Sequence, residues 1–392
     1  MLVTEAAAPD SRAPDGRAPD DVRQLLPGRT PLALLDASGQ PVTCPGQEMP
    51  GQEMPGPQVL LELHRQMVLG RRFDTQATAL TKQGRLAVYP SARGQEACQI
   101  GAVLALRSRD WLFPTYRDSM AAVARGVDPV EVLTLLRGSW HCGYDPYARR
   151  VAPQCTPLAT NTPHAVGLAH AATLKGEDTV ALAMLGDGAT SEGDTHAALN
   201  FAGVWKSPVV FFVQNNGYAI SVPLARQSAA PSLAHKGIGY GIPGVLIDGN
   251  DPAMVYAAVR RAVESAAAGG GPTLIEAVTY RVEAHTNADD ATRYRDPGEV
   301  TGWLSRDPVA RIRAYLVSRG LLDEAGIAAL DAESEAQAAE LRLRMNAEVA
   351  GAAGDLFGYV YASRTAALTA QHQQLAAELA AEAGAAGEGE RA

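Results

Sequence analysis

The chain has 392 residues, 46% apolar and 20% charged, with a net charge of −9. That describes a soluble globular protein able to hold one large α/β domain with appendages. The acidic balance and the lack of a sustained basic block argue against nucleic acid as a partner. No apolar run reaches the ~18 residues of a membrane span, so no membrane is expected.

Met1 to Asp21 carries Asp10, Asp15, Asp20 and Asp21 and no apolar core flanked by basic residues. It resembles neither a secretory nor a mitochondrial presequence, and a cytoplasmic location is expected. Ala-Pro-Asp recurs at Ala8, Ala13 and Ala18, and GQEMP repeats at Gly46 and Gly51. Such text cannot bury a core, so residues 1–57 are expected to be a poorly ordered extension. Within it, Pro31 to Val42 could form a hairpin around Ser38-Gly39.

Pro57 to Gln83 predicts a helix, with Leu60, Leu63, Met67 and Phe73 on one face and Gly84 as its stop. Gly94-Gln95-Glu96-Ala97 runs into a small-residue helix through Ala105. Trp111 to Phe113 then leads into Thr115-Tyr116-Arg117-Asp118. Ala165 to Leu174 predicts another small-residue helix. Thr179 to Leu185 and Pro208 to Val213 read as buried strands. Between them Ser191 to Trp205 places Ala197, Ala198, Phe201, Ala202 and Trp205 on one helix face. Gly244 to Gly249, a helix over Pro252 to Ala268 and a strand over Pro272 to Tyr280 complete the alternation. The fold class is therefore α/β, a parallel sheet covered by helices on both faces over residues 58–323. Residues 324–392 are Ala/Glu/Arg/Gln-rich and predict a helical C-terminal extension that makes subunit contacts. Its helices are expected at Leu330 to Val349 and Thr365 to Ala383, with Gly384 to Ala392 fraying. The four cysteines (Cys44, Cys98, Cys142, Cys155) show no C-x-x-C or zinc spacing and are expected to be reduced.

The densest chemical signal is Gly186-Asp187-Gly188, followed after 26 intervening residues by Asn215-Asn216. Each group ends a predicted strand, at the edge where open parallel sheets bind ligands. Asp187 and Asn216 offer the oxygen ligands that Mg²⁺ takes alongside phosphates, and the glycines let a diphosphate approach the backbone. His285 lies in a polar loop after a buried strand, and an imidazole can exchange a proton near neutral pH.

The runs GDGATSEGD, NNGYAIS and HTNADD resemble those of the alpha subunit of the thiamine-diphosphate-dependent branched-chain 2-oxo acid dehydrogenase (2-oxoisovalerate dehydrogenase) decarboxylating component. The likeness runs from about Gln58 to Glu324. It implies the thiamine-diphosphate-binding fold and an oxidoreductase of branched-chain amino acid catabolism, which decarboxylates a 2-oxo acid and passes the acyl group to lipoamide. It implies Mg²⁺ on Asp187, Asn216 and the Tyr218 carbonyl. It also implies cofactor contacts at Tyr116, Arg117, Leu158, Gly186, Gly188, Ala189, Arg281 and His285, with His285 as proton donor. Thr160 and Asn161 match positions that hold K⁺ in some members. The glutamate that activates the aminopyrimidine belongs, in the family, to a beta subunit. A heterotetramer of two alpha and two beta chains docked on a lipoyl acyltransferase core is thus implied. Pyruvate or acetoin dehydrogenase, and an inert cofactor-binding paralogue, are the alternatives.

Other residues read more blandly. Glu96 is expected to be structural, Asp289 and Asp290 to order the His285 loop, and His64, His235 and His372 to be surface residues. Two departures stand out: residues 143–154 differ from the family's usual text, and Gln214 stands where some members put an arginine on the diphosphate.

Overall fold

The computed structural model describes residues 22–42, 53–347, 353–358 and 360–389. The chain divides into two compact units, Met1–Met345 and Asn346–Ala392. In the first, a five-stranded parallel sheet is built from β1 (Trp111–Phe113), β2 (Ala181–Gly186), β3 (Val209–Asn215), β4 (Gly244–Asp248) and β5 (Thr273–Val278). Their spatial order is β1-β2-β3-β5-β4, and every pairing is parallel.

The strands read as continuous apolar runs because both faces are buried. Leu182, Met184, Val210 and Phe212 point to one face, where α2 (Glu96–Leu104) and α5 (Pro252–Ala267) supply Cys98, Val255 and Val259. Ala181, Ala183, Leu185, Phe211 and Val213 point to the other, against Ala165 and Ala169 of α3 (Asn161–Leu174) and Ala198 and Ala202 of α4 (Gly193–Trp205).

On α4 the buried face differs from the sequence expectation. Thr195, Ala198, Leu199, Ala202 and Gly203 are buried, while Phe201 and Trp205 are 47% and 42% exposed. Close packing selects small residues there: a Cβ on Gly203 would lie 2.3 Å from the Tyr240 carbonyl oxygen. The aromatics are left outside, where Trp205 stacks on His170 of α3 at 4.3 Å.

A helical layer holds α1 (Pro57–Lys82), α6 (Pro308–Ser318) and α7 (Glu324–Asn346) in one apolar cluster that includes Leu60, Met67, Ile312 and Leu341. Because Leu330, Leu341 and Met345 pack there, the compact unit runs to Met345, past the boundary at 323 read from composition. His64 of α1 is only 1% exposed, not a surface residue, and burial brings its pKa to about 4. Its Nε2 accepts from Arg313 Nε at 3.4 Å. The second unit contains helices Asp355–Gly358 and α8 (Ala366–Gly389), which continues through residues 384–389, where the sequence predicts fraying.

Within the N-terminal region, residues 31–42 do form a hairpin: Leu35 bridges Pro41, and Asp36 N–H donates to the Gln40 carbonyl at 2.8 Å. The hairpin is also docked. Leu32 bridges Ile247 of β4, and the buried Asp251 carboxylate accepts from Leu34 and Leu35 N–H at 2.6 and 2.7 Å. The same carboxylate caps α5 through Ala253 and Met254 N–H. The expected disorder thus does not extend to this segment, while that of 1–21 and 43–52 lies outside the described residues. Asp251→Ala should cost about 2–4 kcal/mol, from a lost cap and stranded buried donors. Denaturant unfolding checks it, and a loss no larger than that of a surface substitution would refute this anchoring.

Candidate active site

The sequence brings chemistry to one edge of the sheet because strand carboxyl ends all face the same way. Arg117 follows β1, Asp187 follows β2, Asn216 follows β3, and Arg281 and His285 follow β5. The register pairs Gly186 with Gln214 and Asn215 with Val278, so these ends lie side by side. Tyr116, Arg117, Leu158, Gly186, Asp187, Gly188, Ala189, Asn216, Tyr218, Arg281 and His285 all line one cavity of about 140 Å³. Gly188 has to be glycine on steric grounds, since a Cβ would meet that of Ala219 at 2.7 Å.

One group of residues is cationic. Arg117 Nη2 and Arg281 Nη1 each lie 3.1 Å from His285 Nδ1. A guanidinium can only donate, so Nδ1 accepts and the ring proton resides on Nε2. Burial, reinforced by the Arg117 and Arg281 charges and opposed by Asp289, brings the His285 pKa from 6.5 to about 4. This departs from the expectation of titration near neutrality: His285 is held as a neutral imidazole. Arg117 is fixed by the Ser91 carbonyl at 2.7 Å and Arg281 by the Ile220 carbonyl at 2.8 Å. Among the described residues, Arg281 Nε is buried with no hydrogen-bond partner. The Asp289 carboxylate accepts from His285 N–H at 2.7 Å and from the Tyr294 hydroxyl, and Asp290 caps Thr292 N–H at 3.1 Å.

The other group offers oxygens. Asp187 is buried, which raises its carboxyl pKa, while a hydrogen bond from Gln227 Nε2 at 3.0 Å opposes the rise. The Asn216 side-chain oxygen accepts from Tyr218 N–H at 3.2 Å. Hard oxygen donors of this kind suit a Mg²⁺ that shares its shell with phosphate.

Several expectations resolve as structure. Asn161 donates its amide to the Phe113 and Met184 carbonyls at 3.0 and 2.8 Å, joining β1 to β2. Glu96 is buried and bonded to Arg71 at 2.8 Å and Gly94 N–H at 2.9 Å. The atypical segment 143–154 turns through the helix Pro146–Arg149 and then lies along β1, where Val151 bridges Leu112. The site-building roles of Gln95, Gln214 and Gln227 emerge only from the fold. Gln214 Nε2 bonds Asp118 at 2.7 Å, Gln95 Nε2 bonds Gln214 at 3.0 Å, and Asn216 Nδ2 bonds Gln95 at 3.1 Å. Their sequence carries one weak signal, an uncharged amide directly before Asn215-Asn216.

Fold and site together define an α/β protein that gathers two arginines, a histidine and oxygen donors where parallel strands end. The Dehydrogenase E1 component profile matches residues 64–347, and the chain belongs to that family. It is 46% identical over 354 residues to the Mycobacterium tuberculosis (strain CDC 1551 / Oshkosh) 3-methyl-2-oxobutanoate dehydrogenase subunit alpha, covering 89% of this chain and 94% of the relative. The Staphylococcus aureus (strain Mu50) pyruvate dehydrogenase E1 component subunit alpha is 40% identical over 267 residues, 68% of this chain and 72% of the relative. The family uses thiamine diphosphate. Among the described residues, no helix is long and apolar enough to cross a membrane.

Proposed function

We propose that this chain is the alpha half of a decarboxylating component acting on branched-chain 2-oxo acids, with acyl transfer to lipoamide. The convergence of Arg117, Asp187, Asn216, Arg281 and His285 on one cavity carries this reading. Thiamine diphosphate held here would supply a nucleophilic carbon that adds to the 2-oxo group and a ring that takes up the electron pair left as CO₂ departs. Asp187, the Asn216 side-chain oxygen and the Tyr218 carbonyl hold Mg²⁺. Arg117 and Arg281 bind and orient the diphosphate, and His285 turns its Nε2–H to the reacting groups. The anion would offset the two guanidinium charges and lift the His285 pKa, making a proton available there at working pH.

A beta subunit completes the site. The cavity is smaller than the ~300–1,000 Å³ of a finished small-molecule site. Its lining includes Leu158 and Ile220, which stay 43% and 55% exposed, as side chains awaiting a cover would be. Asp187 is the one carboxylate among the described lining residues, so the activating glutamate comes from the partner. The assembly is a heterotetramer of two alpha and two beta chains on a lipoyl acyltransferase core.

The broad match to the M. tuberculosis relative favours branched-chain acids over pyruvate. With the beta partner, Mg²⁺ and thiamine diphosphate, kcat/KM for 3-methyl-2-oxobutanoate should exceed that for pyruvate by ~10-fold or more, the scale set by added methyl groups in an apolar pocket. The chain alone should be inactive. A preference for pyruvate would overturn the substrate assignment. An assembled, cofactor-bound but inactive complex would instead identify an inert paralogue.

A further inference from the structure

From Asn216 a series of buried side chains runs through Gln95 and Gln214, which also line the cavity, to Asp118 behind it. Asn216 Nδ2 donates to Gln95 Oε1 at 3.1 Å, Gln95 Nε2 to Gln214 Oε1 at 3.0 Å, and Gln214 Nε2 to Asp118 Oδ1 at 2.7 Å. The far oxygen of Asp118 accepts from Thr115 N–H at 2.7 Å and from the Thr115 hydroxyl at 2.6 Å. Amides are nearly symmetric in shape, so a series made only of amides could run in either sense. A carboxylate removes that freedom, because when ionised it only accepts.

We propose that Asp118, through Gln214 and Gln95, sets the sense of this series and thereby keeps the Asn216 oxygen, not its NH₂ group, turned to the cation. This rests on the reading of Asn216 as a Mg²⁺ ligand and adds three positioning residues to it. With Asp118 accepting, Gln214 must present its oxygen to Gln95. Gln95 must then present its own oxygen to Asn216, and the Asn216 NH₂ is engaged inside the protein. A reversed series would offer N–H donors to a cation, which repels them. The Tyr218 N–H contact favours the same orientation, but at 3.2 Å it is the longest contact in the set. Gln214 thus acts on the metal ligand from the position where, by the resemblance, some members put an arginine on the diphosphate.

The test uses the full chain assembled with its beta partner and thiamine diphosphate, with Mn²⁺ as a spin-visible probe and Mg²⁺ as competitor. Asp118→Asn frees the series to reverse and should weaken Mn²⁺ binding ~10-fold or more, as loss of outer-sphere partners does. The double variant D118N/Q214E moves the carboxylate one link along. The amide introduced at position 118 then donates to the carboxylate introduced at position 214. That carboxylate accepts from Gln95 as well, and the sense at Asn216 is restored. Recovery of Mn²⁺ affinity in the double variant is the expected result, and a merely structural Asp118 would not produce it.

Wild-type affinity in Asp118→Asn, or equal weakness in both folded variants, overturns the proposal. If Asp118→Asn does not fold, Gln214→Leu is read in its place: weaker Mn²⁺ binding supports the series, and unchanged binding overturns it. A wild-type complex with no saturable Mn²⁺ binding, and no response to Asp187→Ala, would instead remove the metal reading and the proposal with it.

Discussion

Asp187→Ala, in the complex with the beta partner, is expected to abolish metal-dependent retention of thiamine diphosphate. Asp187 is the one carboxylate among the described residues lining the cavity, so no neighbouring oxygen can replace its charge. Losing an outer-sphere partner typically costs 10–100-fold in metal affinity, and losing a charged direct ligand should cost more than ~100-fold. The chain itself should tolerate the change. Burial raises the Asp187 carboxyl pKa, so the ionised group is disfavoured where it stands and its removal relieves that cost. Calorimetric titration of Mg²⁺ with thiamine diphosphate present, beside a thermal melt, separates the two effects. Tight Mg²⁺ binding in a folded Asp187→Ala complex would show that the cation sits elsewhere. Asp187→Asn should fall between, because it keeps an oxygen but loses the charge.

The cavity is legible in the sequence because its residues follow strand ends. GDG and NN announce the ends of β2 and β3, and a parallel sheet puts successive ends together without further instruction. Strand positions are equally plain, since runs such as Val209–Val213 have no polar residue to place. Rotation about a helix axis is harder to read. Bulk apolarity points Phe201 and Trp205 of α4 inward, whereas the sheet selects by close approach and leaves both outward. His64 differs from expectation for a related reason: a histidine in an otherwise amphipathic helix gives no sign of its depth, which here depends on α6 supplying Arg313. The connection of the glutamine series is not legible because Gln95, Asp118, Gln214 and Asn216 come from three separate stretches of chain. Only the sheet register brings Gln214 beside Gly186. The His285 protonation state likewise needs coordinates, since it follows from two guanidinium groups meeting one ring nitrogen.

That histidine yields the second large effect. His285→Gln should lower acyl transfer to lipoamide ~10²–10⁴-fold, the usual scale for a general acid or base. Metal-dependent cofactor retention should survive, because Asp187, Asn216, Arg117 and Arg281 remain. The pH behaviour provides an independent check. His285 has a folded pKa of about 4 against an ordinary value of 6.5, so between those values the unfolded chain binds more protons. Stability therefore rises with pH through that window. The contribution is full above about 6.5 and is lost as pH falls towards 4. His64, also brought to about 4, acts with the same sign, while Asp74 and Asp251, raised to about 6 by burial, act against it. The informative quantity is thus the difference between His285→Gln and wild type, which cancels the other three. Without cofactor, the variant's melting temperature should fall less than that of wild type between pH 7 and pH 5; parallel curves would mean that His285 is not held neutral. With cofactor the sign changes. A diphosphate that offsets Arg117 and Arg281 raises the His285 pKa, so binding near pH 6 should draw a proton from solution. Calorimetry in two buffers of different ionisation enthalpy measures that uptake. Its presence in wild type and absence in His285→Gln would place the proton on this imidazole, and equal uptake in both would assign it to the cofactor or to another group.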